Sequence, residues 1–255
     1  MHTDSYNDDM NAETATRLLD LNRQFYQTFG PDFSDTRGRI QPGVRFILET
    51  LKGNESILDL GCGNGSLARE LRRGGHRGAY TGLDFSPPLL EKAQQDMRDD
   101  YYFLQVDLAA WEHRQWATDE ADPVLRPSSF DLITAFAVLH HIPGQELRLE
   151  ILQKVHELLK PGGSFIHSEW QFLNSEKLKR RIQAWENAGL APEDVDANDF
   201  LLDWRGGGHG LRYVHHFDET ELAALAAAGR FRIWQTFHSD GENGRLGLYQ
   251  IWESL

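Results

Sequence analysis

The chain has 255 residues, of which 40% are hydrophobic and 25% are charged, a composition that excludes disordered, collagen-like and low-complexity proteins and fits one domain with an insertion. Its 39 acidic and 26 basic residues leave a net charge of -13, which opposes broad electrostatic capture of nucleic acid by this chain alone. No apolar run approaches the roughly 18 residues of a membrane span, and the first ten residues are acidic and polar, so we expect no membrane contact. The single cysteine cannot form an internal disulfide, and we therefore expect a cytoplasmic protein.

Two helices are predicted within residues 11–52, before the first strand. Apolar residues recur at helical spacing in both, first at Leu18, Leu21, Phe25 and Phe29 and then at Val44, Ile47, Leu48 and Leu51.

From residue 56 onward, short apolar runs alternate with helical patterns. The predicted strands are Ser56–Leu60, Ala79–Leu83, Tyr102–Val106, Phe130–Phe136 and Ser164–Ser168, with helical patterns at 66–74, 87–98 and 145–160. This alternation predicts βαβ units in a mostly parallel sheet with right-handed crossovers. The gap at 107–129 is irregular and polar.

The alternation stops after the fifth strand. Residues 172–216 are predicted to form a cap insertion, which begins with one amphipathic helix that aligns Leu178, Ile182 and Trp185 and continues as an Asp- and Gly-rich stretch. We therefore expect a single α/β domain over residues 1–255 with this cap beside its sheet.

The C-terminal part predicts one more helix and a hairpin. The helix begins at Asp218, which forms a capping box with Glu221. Two apolar runs, Arg230–Thr236 and Leu246–Trp252, flank a turn and predict a pair of antiparallel strands.

A ligand-binding turn is predicted where the first strand meets its helix. Three alternate glycines, Gly61, Gly63 and Gly65, permit a tight turn and close approach of a ligand, and the free N–H groups of the helix start favour a negative group. A nicotinamide-binding fingerprint would need glycine where Ser66 stands.

Three acidic residues are predicted to share one edge of the sheet, because each follows or ends a parallel strand. Asp59 suits an ammonium group, Asp84 suits the hydroxyls of a ribose, and Asp107 can accept from the amino group of an adenine. The sequence therefore predicts a nucleoside ligand with a positively charged substituent.

Five segments together resemble the class I S-adenosylmethionine-dependent methyltransferases. They are D-L-G-C-G-N-G at 59–65, G-L-D-F-S at 82–86, V-D-L at 106–108, F-D-L-I-T-A-F-A-V-L-H-H at 130–141 and L-L-K-P-G-G at 158–163. The resemblance implies a transferase with a Rossmann-like, seven-stranded, mostly parallel sheet that has a C-terminal antiparallel hairpin and helices on both faces, and S-adenosyl-L-methionine as cofactor. It implies cofactor contacts at Tyr26, Arg37, Asp59, Gly61, Cys62, Gly63, Gly65, Asp84, Phe85, Ser86, Asp107, Leu108 and Phe136.

A narrower resemblance lies outside these segments. The residues at 32–37, the pair at 140–141, Asp203-Trp204 and the run at 212–217 are similar to the tRNA wobble-uridine carboxymethyl methyltransferases. This implies tRNA modification by O-methylation of a carboxymethyl group, with a small activating partner protein. Residues expected at the acceptor are His141, Arg212, Tyr213 and His215.

Several alternatives stay open from sequence. The enzyme could instead be a small-molecule O- or N-methyltransferase, or the chain could be a non-catalytic scaffold that binds the cofactor. The hydrogen-bonding groups of 212–216 could anchor the insertion to the sheet. The cations Lys177, Lys179, Arg180 and Arg181 suit either a solvated face or RNA phosphates. No metal site is expected, because the adjacent His140 and His141 do not converge on one ion.

Overall fold

The computed structural model describes residues 10–35, 39–95, 97, 101–113, 125–206 and 208–255. Its helices are α1 (Ala12–Asp35), α2 (Pro42–Leu48), α3 (Ser66–Arg73), α4 (Pro87–Gln94), α5 (Gln145–Leu158), α6 (Glu176–Lys179) and α7 (Glu219–Ala228). Its strands are β1 (Ile57–Leu60), β2 (Tyr80–Asp84), β3 (Tyr101–Gln105), β4 (Phe130–Phe136), β5 (Leu159–Trp170), β6 (Ile182–Gln183), β7 (Asp199–Trp204), β8 (Gly210–His215), β9 (Phe231–Ser239) and β10 (Gly247–Ser254). No helix in these ranges is long and apolar enough to cross a membrane.

A seven-stranded sheet lies at the centre of the molecule, in the order β3-β2-β1-β4-β5-β10-β9. The first five strands run parallel, and β10 pairs antiparallel with both β5 and β9. The parallel sheet with a C-terminal antiparallel hairpin is therefore confirmed.

Helices cover both faces of this sheet. Successive strand residues point to opposite sides, and the strands present apolar side chains on both sides for helices to bury. Leu58 belongs to the apolar cluster that includes residues of α5 and α7. Its neighbour Ile57 belongs to the cluster that includes residues of α2 and α3. Strands buried on both faces explain why the sequence shows them as continuous apolar runs.

The region 172–216 differs from its prediction. The expected amphipathic helix is limited to α6, and the chain then forms a three-stranded antiparallel sheet in the order β6-β7-β8. The three residues expected on one helical stripe pack in two places: Leu178 and Ile182 lie against the cluster around Phe172, whereas Trp185 lies in the cluster around Leu18. The helical spacing of these residues was therefore coincidental.

The small sheet packs on α1. Leu18 of α1 lies in one apolar cluster with Leu201 of β7 and Tyr213 of β8. Asn22 adds two hydrogen bonds to the Tyr213 backbone, accepting from its N–H at 2.9 Å and donating to its carbonyl at 3.1 Å. Helix α1 is thus held on one side by the small sheet.

The start of α7 shows half of the predicted capping box. The Asp218 side chain accepts a hydrogen bond from the Glu221 N–H at 2.8 Å. The Glu221 carboxylate faces Arg148 and His215, at 3.2 and 2.9 Å. Glu221 therefore joins α7 to α5 and to the small sheet.

Candidate functional site

A cavity of about 390 Å³ opens at the carboxyl ends of β1, β2, β4 and β5. Helix α1 contributes Asn22, Arg23 and Tyr26 to its lining, and β10 contributes Gly247 and Tyr249. Its volume is in the range of ligand-binding pockets, and its place outside the carboxyl ends of parallel strands is where open α/β sheets bind ligands.

The turn after β1 forms the floor of this cavity. Gly61 has a φ of +64°, and a Cβ there would lie 2.6 Å from Val138 Cγ2, so a side chain at this position would clash. Gly63 has a φ of +54°, and no described atom lies within 4 Å of the position a Cβ would take. The open space next to Gly63 lets a ligand contact the backbone directly. Gly65 caps α3 and is not among the lining residues.

Asp84 is a rigidly held carboxylate at the end of β2. Its side chain accepts from the N–H of Gly63 at 2.9 Å and from the N–H of Ser86 at 2.9 Å. Burial raises its pKa, and these backbone hydrogen bonds act against the increase. Each carboxylate oxygen keeps a second acceptor site, so Asp84 can take the two hydroxyls of a ribose. Phe85 lines the cavity, whereas Ser86 is fully buried at the start of α4.

Asp59 lies deeper in the same cavity. Its carboxylate accepts from the Tyr80 hydroxyl at 2.6 Å and from the Thr134 hydroxyl at 2.7 Å. Burial raises the pKa of Asp59 to about 6. A buried acid poised to ionise is suited to a cationic ligand group, such as the ammonium of a methionyl moiety. Burial also raises the pKa of the neighbouring Cys62 thiol, which keeps that residue inert.

The adenine end of the predicted site carries an ion pair that the sequence did not reveal. Arg23 of α1 contacts Asp107 Oδ2 through Nε at 2.8 Å and Nη2 at 2.5 Å. The other oxygen of Asp107 accepts from the N–H of Ala109 at 3.0 Å. Leu108 lines the cavity beside them. Arg23 thereby joins α1 to the loop that follows β3.

His141 and Tyr26 form a hydrogen-bonded pair in the cavity lining. His141 Nδ1 lies 3.2 Å from the Tyr213 carbonyl, an acceptor, so Nδ1 carries the proton and donates. His141 Nε2 then accepts from the Tyr26 hydroxyl at 2.8 Å. Phe136 lies nearby at the end of β4 and also lines the cavity. Both imidazole nitrogens are therefore engaged within the protein.

Glu169 is a buried acid that lines the cavity at the end of β5. One carboxyl oxygen lies 3.0 Å from His140 Nδ1, and the other lies 2.9 Å from His167 Nδ1. Burial raises the pKa of Glu169 well above its ordinary value and lowers that of His167 to about 3. Burial thus favours the uncharged form of both residues.

Two of the residues expected at the acceptor lie in a buried network behind the cavity rather than in its lining. The Tyr213 hydroxyl donates to Asp199 at 2.8 Å and accepts from Arg148 at 3.1 Å. His215 lies between Asp199 at 2.6 Å and Glu221 at 2.9 Å. These contacts anchor the small sheet to α5 and α7.

Arg212 also lies outside the cavity lining, but it touches a residue that belongs to it. Its guanidinium carbon is 4.6 Å from the ring centroid of Trp170, and Trp170 lines the cavity. It also lies 5.5 Å from the ring centroid of Phe25. Arg212 therefore contacts the cavity lining only indirectly, through the ring of Trp170.

The prediction for Arg37 falls outside the described residues, whereas the nearby Arg39 is exposed and lines the cavity. Glu169 could have been found from sequence, because it follows the same rule of an acid at a strand end. Other lining residues that sequence reasoning missed include five from α1, the segment before α2, the end of β5 and the first half of β10: Asn22, Arg23, Arg39, Trp170 and Tyr249. Among the described residues, no group of three or more His, Cys, Asp or Glu side chains is arranged to hold a metal.

A family model described as a methyltransferase domain matches residues 33–236. The ubiquinone biosynthesis O-methyltransferase of Vibrio cholerae is 27% identical over 199 residues, which cover 74% of this chain and 76% of that protein. The tRNA (carboxymethyluridine(34)-5-O)-methyltransferase ALKBH8 of Macaca fascicularis is 27% identical over 172 residues, covering 66% of this chain and 23% of that protein.

Solved structures share the fold. An S-adenosylmethionine-dependent methyltransferase of Methanosarcina mazei superposes with a TM-score of 0.61 at 23% identity, covering 85% of this chain and 98% of that one. A Haloferax volcanii complex between the Trm112 methyltransferase activator and a methyltransferase gives a TM-score of 0.62 at 15% identity, covering 92% of this chain and 97% of the other.

Proposed function

We propose that this chain methylates a carboxylate oxygen, that of a carboxymethyl group on a tRNA wobble uridine. The chain belongs to the methyltransferase domain family and uses S-adenosylmethionine as its cofactor. The substrate proposal rests on the chemistry at the acceptor end of the cavity, where the groups present suit an acceptor that is already ionised.

The state of His141 is the observation that carries this proposal. Its Nδ1 donates to a backbone carbonyl and its Nε2 accepts from Tyr26, so the nitrogen that could remove a proton from an acceptor is occupied by the Tyr26 hydroxyl. A carboxylic acid has an ordinary pKa of about 4 and is ionised at pH 7 without a base. A phenol, whose pKa is about 10, would gain from one.

The charges around the cavity agree with an anionic acceptor. Burial raises the pKa of Glu169 and favours its uncharged form, which lessens the repulsion of a carboxylate. Arg39 lines the cavity and is exposed, which suits a bidentate grip on a carboxylate. Further support comes from the name of the Macaca relative, an O-methyltransferase of carboxymethyluridine.

The residues of the cavity would have the following roles. Bound S-adenosylmethionine supplies a methyl group on a positively charged sulfur. Transfer of that methyl group to a carboxylate oxygen would need no proton removal, so the cavity would have to hold and align the acceptor rather than deprotonate it. Asp59 and Asp84 fix the cofactor from the strand ends, and Phe136 and Trp170 exclude water from the acceptor end. Alignment and desolvation then provide most of the acceleration.

A small-molecule O-methyltransferase is the second candidate. The Vibrio relative matches over 76% of its length, and the cavity has aromatic walls from Phe136, Trp170 and Tyr249 that suit a small aromatic acceptor. In this case a phenol would replace the Tyr26 hydroxyl as the donor to His141 Nε2 and lose its proton there.

The two candidates differ in a product that is easy to measure. The protein is incubated with methyl-labelled cofactor and with either mildly saponified total tRNA or a metabolite extract. Methyl ester formation on tRNA gives label that mild base releases as volatile methanol, whereas methyl ethers and N-methyl groups keep it. Base-stable label, or label confined to the metabolites, would reject the tRNA proposal.

The proposal includes a small activating partner, since one structural neighbour is a methyltransferase bound to the Trm112 activator. Each reaction is therefore run with the chain alone and with an added activator of that kind. Activity on tRNA that appears only with the activator supports the partner, and equal activity without it argues against the requirement.

A further inference from the structure

A group of cations lies on segments that adjoin two residues of the cavity lining, Trp170 and Leu246. It comprises four residues on or just after α6, one after β7 and one just before β10: Lys177, Lys179, Arg180, Arg181, Arg205 and Arg245. In the segments 171–183, 203–205 and 242–246 there are six basic and three acidic residues, although the whole chain carries a net charge of -13. Positive charge is therefore concentrated here.

Hydrogen bonds connect these segments to one another and to the cavity. The Asn174 side chain, two residues before α6, donates to the Arg245 carbonyl at 2.8 Å. The Gln171 N–H donates to the Leu246 carbonyl at 2.8 Å, and Leu246 lines the cavity together with Trp170. On the other side, the Asp203 N–H donates to the Arg181 carbonyl at 2.9 Å. Leu178 of α6 and Trp170 also pack against the same apolar cluster, so the segments that carry the cations adjoin the cavity lining.

The acids of this region neutralise only part of the charge. Glu176 pairs with Lys179 at 2.7 Å, and Asp203 pairs with Arg205 at 2.6 Å. Four cations form no ion pair with a described carboxylate: Lys177, Arg180, Arg181 and Arg245. Three of them are exposed and Arg181 is partly exposed. Glu242, in the turn before β10, is the remaining acid of these segments.

We propose that these four cations form a phosphodiester-binding surface, the rim surface, which holds the RNA strand on either side of the nucleotide that enters the cavity. The inference rests on the proposed function, because it assumes that the acceptor belongs to a nucleic acid. None of the four cations lines the cavity, but their segments adjoin its lining residues Trp170 and Leu246, so phosphates on either side of a single entering base can be neutralised outside the cavity. A strongly acidic protein would thereby bind RNA at one focused place.

The test compares two variants with the same change in charge. The rim variant carries Lys177→Gln, Arg180→Gln, Arg181→Gln and Arg245→Gln. The control variant carries Lys52→Gln, Arg72→Gln, Arg77→Gln and Arg126→Gln, which replace exposed cations at the amino-terminal edge of the sheet. Binding of a labelled, unmodified RNA hairpin is followed by fluorescence anisotropy over a range of salt concentrations, and calorimetry gives the cofactor affinity of each protein.

We expect the rim variant to bind the hairpin at least about tenfold more weakly, with a salt slope reduced by about 3, since each neutralised single-strand phosphate contributes about 0.7. The control should bind RNA within about twofold of the wild type, and all three proteins should bind S-adenosylmethionine equally. An unchanged rim variant, an equal loss in the control, or a wild type that binds no RNA at low salt would overturn the rim surface.

Binding and methylation separate this inference from the proposed function. A wild type that binds RNA through the rim surface and methylates only small molecules would refute the tRNA proposal and, with it, the role of the rim surface in presenting a methyl acceptor. A wild type that methylates tRNA, with a rim variant of equal RNA affinity, would refute the surface alone.

Discussion

The two sheets of the molecule place their polar side chains in opposite ways. At the carboxyl edge of the seven-stranded sheet, Asp59, Asp84 and Glu169 line the cavity. In the three-stranded sheet, Tyr213 and His215 point into the protein. There their polar atoms form hydrogen bonds with Asp199, Arg148 and Glu221.

The difference shows that a dense run of hydrogen-bonding residues does not by itself indicate a ligand site. In a parallel sheet the strand ends share one edge, so a side chain there reaches a common crevice. In an antiparallel hairpin packed on a helix, inward polar groups need partners inside the protein, because an unsatisfied buried group costs about 1–3 kcal/mol. The first arrangement serves binding and the second serves anchoring.

The strongest test of this contrast is Asp84→Ala. The substitution removes charge-assisted hydrogen bonds worth about 1.5–3 kcal/mol, so S-adenosylmethionine affinity measured by calorimetry should fall about 10- to 100-fold. A matched control is Asp131→Ala, at the amino-terminal end of β4, where the carboxylate bonds Ser56 and Lys160 far from the cavity. That variant should keep full affinity. A folded Asp84→Ala protein with undiminished affinity would refute the ribose role.

Tyr213→Phe tests the other sheet. It deletes a fully buried hydroxyl that bridges Asp199 and Arg148, so the free energy of unfolding in urea should fall by about 1–3 kcal/mol. Cofactor affinity should stay unchanged. Tyr102→Phe, at an exposed position, is the control and should leave stability within about 0.5 kcal/mol of the wild type. Lost turnover with unchanged stability would instead place Tyr213 at the acceptor.

The contrast between the two sheets also corresponds to what the sequence could and could not predict. The alternation of strands and helices, the glycine turn and the acids at 59, 84 and 107 follow from short segments, because alternation and strand ends are local features. The contact between Asn22 and Tyr213 joins residues 191 positions apart, and no local pattern predicts it. The same is true of the Arg23–Asp107 ion pair.

The small sheet was missed for a related reason. Strands β7 and β8 are short, and their apolar residues are interrupted by polar ones such as Arg212 and His215, whose contacts with Trp170 and with Asp199 come from distant parts of the chain or from the partner strand. Without those partners the segment looks like a polar loop. The helical spacing of Leu178, Ile182 and Trp185 then suggested a helix that the packing does not use.

Asp59 gives a pH test of the binding edge. Its pKa of about 6 lies above the ordinary value of 3.8, so in the free protein it is largely protonated below pH 6. If the ionised form holds the ammonium group of the cofactor, affinity should rise about tenfold per pH unit below pH 6 and level off above it. Asp59→Asn should remove this dependence. A wild-type affinity that is flat between pH 5 and 7 would exclude the ion pair.

The smallest expected effect belongs to Arg212, which links the two regions. Its guanidinium stacks on Trp170, whose ring lines the cavity, so Arg212 acts as a positioning residue rather than a direct contact. Arg212→Lys keeps the charge and loses the planar stacking surface, an interaction worth about 0.5–2 kcal/mol.

Turnover of Arg212→Lys should therefore fall severalfold while S-adenosylmethionine affinity stays the same, because methyl transfer depends on the alignment of the acceptor that Trp170 helps to hold. Trp170→Phe keeps a smaller aromatic ring at this position, and adding Arg212→Lys to it should cost less than in the wild type, since the two residues act through one contact. Additive losses in the double variant would show that Arg212 influences turnover by another route. Unchanged turnover in Arg212→Lys would make Arg212 part of the anchor, together with Tyr213 and His215.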